Sequence, residues 1–375
     1  MESTSIKRIK FSYIPLSSGI VSVGAIVELA NGIFEWDACP IGTTFTKIDP
    51  ICLGIESANE IENKCNKYLV GANALYQIEI DEILESIFGD IEYGFSGVDY
   101  CISISCAIAR CASIQMKFPL WKYINNLSEE KYSIPKILSN VIGGGGHHKN
   151  ENKITETMVL GSNSVADDIN SVLKIRQIFQ SFFEKNSTNT YIGLEGCLVP
   201  DSFNEFELIS EFCKILNNTN LKIGLDLAGI YDEYQLKKLL NQFPLIGYIE
   251  DPYYNNFVSE NMMYHANNLL IAGDDLLHGN LELLEYYLKN NIINSAVFKL
   301  NHLGTISNII KATKIARKHQ GKIICSQRSN ETSRDTMSHI AVGIGADYLK
   351  FGSPVRERIA NYNNLLFIEK YVDNQ

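Results

Sequence analysis

LKIGLDLA at residues 221–228 and IGYIEDP at 246–252 are two short apolar runs, each ending in a carboxylate, Asp226 and Glu250. The pattern continues. LLIAGDDL (269–276) reaches Asp274, AVFKLN (296–301) reaches Lys299, KIICSQRS (322–329) reaches Arg328 and DYLKFGS (347–353) reaches Lys350. From Asp226 onward the successive intervals are 24, 24, 25, 29 and 22 residues. Helical stripes lie between them, Ile306, Ile309, Ile310 and Ala316 forming one, and Met337, Ile340, Ala341 and Ile344 another. One strand, one helix and two short loops take about that many residues, so the region reads as a repeating βα unit. Six units, with ILSNVIG (137–143) and ETMVLG (156–161) as upstream strands, make eight.

Eight parallel strands close into a barrel, and polar residues at their C-terminal ends then meet at one mouth. An open doubly wound sheet is the competing architecture, but it spreads the same residues along an edge. In the barrel Asp226, Glu250 and Asp274 present three carboxylates from neighbouring strands, hard oxygen ligands that suit Mg²⁺. Taken singly, each could instead cap a helix or pair with a cation. Lys299 and Lys350 follow on later strands. A lysine in such an interior can act as a base or serve as a carboxylate's ion-pair partner, and spacing alone leaves both open.

The first third of the chain reads differently. GIVSVGAIVELANGIFEW (19–36) holds two β-rich segments around Asn31-Gly32, a strong hairpin signal. Val98 to Ile124 carries many small residues and suits a closely packed helix that breaks at Pro119. The polar stretch NNLSEEKY (125–132) marks a linker, which gives an N-terminal α+β domain over 1–128 and a barrel domain over 129–375. With 45% hydrophobic residues in 375, the chain can bury a sizeable core. A net charge of −10 argues against nucleic acid as the main ligand, while leaving room for one anionic group on a local cationic cluster. Nine cysteines without a CxxC pair read as reduced thiols of a cytoplasmic protein, and no stretch has the length of a membrane span.

The series GLDLA, YIEDP, GDDL, FKLNHLGT, SQRSNET and LKFGSP, with NVIGGGGH, TETMVL and GLEG before it, resembles the enolase family over nearly the whole chain. The helix SCAIARCASIQMKFPLWKYI and the C-terminal RERIANYNNLLFIE resemble it too. The resemblance implies an N-terminal α+β domain followed by a TIM-type barrel of the form ββαα(βα)₆, a homodimer, and Mg²⁺-dependent dehydration of 2-phosphoglycerate to phosphoenolpyruvate. It assigns the metal to Asp226, Glu250 and Asp274. Lys299 matches the base that removes the C2 proton, Glu195 the acid that protonates the departing hydroxyl, and Glu156 the carboxylate that assists Glu195. Lys350 matches the residue that holds the substrate's carboxylate, His147 an active-site loop histidine, and Arg328 with Ser329 the phosphate-binding pair. The pair's planar fork suits phosphate, and a helix starting near Thr332 would add its N-terminal dipole.

The chain departs from the family's pattern at defined places. Gln327 stands where the family has His before the Arg-Ser pair, and Ile41 where a mobile loop has a Ser that helps bind a second Mg²⁺, with Thr43 and Thr44 nearby as hydroxyl donors. Leu194 replaces an Asp, and PLSSGIVSV stands in place of an Asp-Ser-Arg-Gly signature. These departures keep two alternatives in view: an enolase-like lyase on a related phosphate- or phosphonate-bearing carboxylate, and a non-catalytic binding protein on the same fold. Loss of Lys299 or Glu195 would favour the latter. Both are present.

Overall fold

A computed structural model describes residues 3–42, 50–89, 95–148, 150–252 and 269–372, without the side chain of His147. Thr43 and Thr44 lie outside the described residues.

The chain opens with a three-stranded antiparallel meander, β1 (Ile6–Pro15), β2 (Val21–Leu29) and β3 (Phe34–Ala38). Gly32 turns the second hairpin at φ 90°, a left-handed value that a side chain would resist. Val23, Ala25, Val27 and Leu29 alternate onto the buried face of β2 and pack on the helices that follow. Those helices are α1 (Ala58–Leu69), α2 (Gln77–Phe88), α3 (Val98–Gln115) and α4 (Leu120–Ser128). On α3 the small residues Ser103, Ser105, Cys106, Ala107, Ala109, Cys111 and Ala112 are all buried, which lets strands and helices approach it on every side. The linker expected at 125–132 begins too early, since Asn125 and Ser128 belong to α4. Their polarity has an inside use: the Asn125 amide and the Ser128 hydroxyl both donate to the carbonyl of Gly343, at 3.1 and 3.0 Å.

The barrel starts with β4 (Lys136–Gly143) and β5 (Glu156–Leu160). After α5 (Val165–Lys185), β6 (Thr190–Ile192) and β7 (Leu198–Pro200) form a hairpin whose β7 adds to the edge of β4 at Ile142 and Leu198. Then come α6 (Glu205–Leu216), β8 (Lys222–Asp226), α7 (Glu233–Gln242), β9 (Ile246–Glu250), β10 (Leu270–Gly273) and α8 (Leu281–Lys289). The last units are β11 (Ser295–Phe298), α9 (Leu300–Leu303), α10 (Ile306–Lys318), β12 (Lys322–Ser326), α11 (Thr336–Gly343), β13 (Tyr348–Phe351) and α12 (Ile359–Val372). Strands β4, β5 and β8 to β13 close on themselves through the pairing of β13 with β4.

The eight strands are not all parallel, as the repeat had suggested. β5 runs antiparallel to both neighbours, pairing Gly143 with Glu156 on β4 and Glu156 with Asp226 on β8. Residues 144–155 carry only one short helical turn, Gly145–His147, and a parallel crossover needs a longer connection, usually with a full helix. The strand therefore turns straight back, as the ββ start implied by the family resemblance has it. Leu138, Met158, Leu160, Tyr248, Ala272, Val297 and Ile324 fill the interior. With a period of two, Asp226, Glu250 and Lys350 stand one step above this apolar layer. The site therefore rests on a packed floor.

Candidate active site

Because β5 is reversed, its first residue, Glu156, lies at the same rim as the last residues of its neighbours. Register fixes the row: Glu156 faces Asp226, and Asp226 faces Glu250. Lys350 enters this row from β13 and is 5% exposed. Its ammonium lies 2.8 and 2.6 Å from the two Glu250 oxygens, 2.9 Å from Glu156 and 3.5 Å from Asp226. Burial works against that charge, but Glu156 and Glu250 carry its pKa well above the ordinary lysine value. Lys350 is therefore a fixed cation and no proton acceptor. Glu250 also accepts from the Tyr248 hydroxyl at 2.5 Å.

Glu195 sits in the turn between β6 and β7, where the Asn140 amide donates to it at 3.1 Å. Gly352 lies against its backbone, and a Cβ there would come within 1.8 Å of the Glu195 carbonyl oxygen. Glu156 and Glu195 share a hydrogen bond. Burial first, then the neighbouring Glu195 charge, push the Glu156 pKa well above the usual carboxylate range. Two carboxyls with such a bond hold a proton between them.

Across the mouth, Lys299 follows β11 and pairs with Oδ2 of Asp274. Burial opposes the charge of Asp274, yet Lys299 overrides it and holds the carboxyl well below its usual range. The other oxygen, Oδ1, is buried and has no hydrogen-bond partner among the described residues. Asp251, at φ 42°, accepts from the backbone N–H groups of Asp274, Asp275 and Leu276 at 2.9, 2.7 and 3.3 Å, so it shapes the turn that presents Asp274. Glu250, Asp251 and Asp274 each offer an oxygen within 4.8 Å of the others. The tight group thus contains Asp251 where Asp226 was expected, because the sharp turn after β9 folds Asp251 back toward β10.

The donor set fits a divalent cation. All the ligand atoms are hard carboxylate oxygens, one of them lacks any partner, and Glu156, Glu195, Asp226, Glu250 and Asp274 outnumber the cations Lys299, Lys350 and Arg328.

Arg328 leaves β12 and is 7% exposed. It does not pair with the side chain of Glu331, which takes its backbone N–H instead, at 3.3 Å. One guanidinium nitrogen, Nη1, lies 3.0 Å from Nε2 of His302, and Nε has no partner among the described residues. Burial, and then the charges of Arg328 and Lys299, hold the His302 pKa well below its ordinary value, so the imidazole is neutral and accepts. Arg358, fully buried, donates to the carbonyls of Arg328 and Ser329 at 3.2 and 2.8 Å. The following helix starts at Thr336, not near Thr332, and its N-cap residue Asp335 already pairs with Arg110, which removes the expected dipole contribution. Gln327 is buried and its side-chain oxygen lacks a partner. Ile41 and Asn330 exchange two backbone hydrogen bonds of 3.0 Å, and a Cβ on Gly42 would meet the Arg328 guanidinium at 1.8 Å. The side chain of His147 lies outside the described residues; its neighbour His148 is 3.4 Å from the Tyr191 hydroxyl.

Residues 227–375 match the family model of the enolase C-terminal TIM barrel domain. An enolase of Ehrlichia ruminantium (strain Gardel) is 27% identical over 418 aligned positions, covering 100% of this chain and 98% of that one. An enolase of Ehrlichia canis (strain Jake) is 28% identical over the same coverage, and one of Lactobacillus acidophilus is 26% identical over 94% of this chain and 92% of its own. Residues 227–375 are an enolase-type C-terminal barrel, and the chain as a whole is similar to enolases.

For an enolase-family barrel, the sequence had shown the charged strand ends but not the residues that steer them. Asn140 is a polar residue inside a strand that is otherwise buried and largely apolar, a visible signal for a contact with Glu195. His302 on Arg328 had no such signal, since the two are joined only by the closure of the barrel. Asp251, beside Glu250 in the sequence, forms a turn that the pattern of strand ends does not reveal.

Proposed function

We propose that this chain is a Mg²⁺-dependent lyase that dehydrates 2-phosphoglycerate to phosphoenolpyruvate. One observation carries the reading: Lys299 follows β11 and Glu156 opens β5, four strands apart in a ring of eight and so across the mouth from each other. An elimination that takes a proton from one face of the substrate and protonates a hydroxyl leaving from the other needs that separation. Lys299, in its free-amine form and released from Asp274 when that carboxylate turns to the cation, accepts the C2 proton at Nζ. Glu195, sharing a proton with Glu156, delivers one to the departing C3 hydroxyl, which leaves as water. The unpartnered Nε–H of Arg328 and the hydroxyl of Ser329 hold the phosphate, while Lys350 keeps positive charge beside the substrate's carboxylate. Asp226, Glu250 and Asp274 would hold the cation, Asp251 being committed to three backbone donors. Mg²⁺ there would supply charge against the second negative charge that builds on the carboxylate.

The test is formation of phosphoenolpyruvate from 2-phosphoglycerate by purified protein with Mg²⁺. Absence of turnover in a protein that still binds Mg²⁺ would overturn the reading. The homodimer belongs to the same proposal and is checked by light scattering in solution.

Arg328→Lys should raise the Michaelis constant for the phosphorylated substrate by roughly tenfold or more, because a point charge replaces a fork whose geometry His302 directs. An unchanged constant would return Arg328 to a structural role.

Ile41 and Gln327 favour a second reading, a related phosphate- or phosphonate-bearing carboxylate as substrate. Ile41 is 8% exposed and brings no side-chain oxygen to the loop. Under the first reading, Ile41→Ser lowers the Mg²⁺ concentration for half-maximal activity by roughly fivefold, the equivalent of about 1 kcal/mol for one added hydroxyl contact. An unchanged metal dependence, or loss of activity, places Ile41 against an apolar part of a different substrate.

A further inference from the structure

The opposite end of the barrel holds a cavity of about 590 Å³ that the chemistry above does not use. Lys136, Lys222 and Lys322 line it, together with Tyr348 and Ser162, and among the described residues no carboxylate does. These lysines begin β4, β8 and β12, alternate strands of the barrel apart from β10 between the last two. Each precedes by two an interior position: Leu138, Gly224 and Ile324. With the strand period of two, all three therefore face the barrel axis from below.

Apolar side chains ordinarily fill such a layer. Three ammonium groups around one cavity repel one another, and their charge is only partly met. Lys322 shares Asp347 with Arg317, at 2.9 and 2.7 Å, while Lys136 and Lys222 make no ion pair among the described residues. In a chain with 43 acidic and 33 basic residues, an acid-free cavity carrying three cations is a local reversal of sign. The Ser162 hydroxyl in its wall is buried and has no hydrogen-bond partner among the described residues, so it adds a donor. The volume lies in the range of small-ligand sites.

We propose that the bottom of the barrel is a second anion site, separate from the mouth, for a small ligand bearing several phosphate groups. Its ammonium groups meet the phosphate oxygens, and Ser162 donates to one of them. The chemistry suits a bare phosphate chain or the triphosphate of a nucleotide. The two sources differ in whether a base adds affinity.

The experiment is calorimetric titration of the full chain with inorganic tripolyphosphate and, in a second arm, with adenosine triphosphate, both without divalent metal. One ligand per chain should bind, more weakly as salt rises. Lys136→Gln with Lys222→Gln should weaken tripolyphosphate binding by at least about tenfold, because two of three charges are gone. Lys136→Arg with Lys222→Arg should keep it, and Arg328→Gln at the mouth should leave it unchanged. Lys136→Gln alone alters an exposed side chain, and should weaken binding by roughly threefold even if the double variant folds poorly. Equal affinity in the two arms assigns the site to the phosphate chain, and tighter nucleotide binding assigns it to a nucleotide. No binding in either arm, binding indifferent to the lysine substitutions, or binding lost with Arg328→Gln each overturns the proposal.

Discussion

Lys299→Ala is expected to lower turnover of 2-phosphoglycerate by about 10³- to 10⁴-fold, the span of a lost general base, and to abolish exchange of the substrate's C2 proton with solvent. Substrate affinity should change little, since phosphate and carboxylate are held by other groups. A second effect runs in the opposite direction. Lys299 pairs with Asp274, so removing it strips that carboxylate of its countercharge and should tighten Mg²⁺ binding. The pair of readouts separates a base from a structural ion-pair partner: both roles predict the change in metal affinity, and only the base predicts loss of proton exchange. Persistent exchange in the variant would move the base elsewhere in the mouth.

Lys350→Met should produce the largest loss of stability. The ammonium sits among Glu156, Asp226 and Glu250, and removing one partner of such a buried cluster costs about 3–5 kcal/mol. The sign of the pH dependence follows from the shifts. In the wild type the raised Lys350 pKa means that its stabilisation is fully present below the ordinary lysine value and is lost only as pH rises through the higher folded value. Without it, the buried Glu156 and Glu250, already raised by desolvation, prefer their protons more strongly. The deficit should therefore grow as pH rises past the usual carboxylate range and shrink as pH falls. Added Mg²⁺ should narrow it at neutral pH. Thermal melts of both proteins across pH, with chelator and with Mg²⁺, check this, and a deficit independent of both would show that the four groups do not act as one cluster.

How legible these groups were depended on what placed them. The runs ending at Asp226, Glu250, Asp274, Lys299 and Lys350 were readable because parallel strands buried on both faces must be apolar until they emerge, and the first polar residue marks the rim. The direction of β5 was not readable from its own residues. Alternation reports which face a residue takes, never which way the strand runs, and the short 144–155 connection was the only local clue. α11 starts four residues after Thr332 because Glu331 folds back onto the backbone N–H groups of Arg328 and Thr332, a contact that the local sequence does not announce. The 125–132 stretch misled for a related reason. Polarity in a sequence does not say whether its partner is water or, as for Asn125 and Ser128, a buried carbonyl.

The bonds around Arg328 also set an order of biosynthesis. The segment that carries it is tied to the beginning of the chain through Ile41 with Asn330, Ser17 with Ser329 and Glu35 with Arg334, and to the end of the chain through Arg358. The first of these residues leave the ribosome about 300 positions before their partners. Such contacts span most of the polypeptide in sequence, and contacts of that kind are slow to form. The row of carboxylates needs Lys350 of β13, and the anion-holding segment needs Arg358, so neither is complete before the last barrel strand and the turn after it have been made. A product that stops before Arg358 therefore lacks the donor that fixes the carbonyls of Arg328 and Ser329, and with it the grip on a phosphate at the mouth.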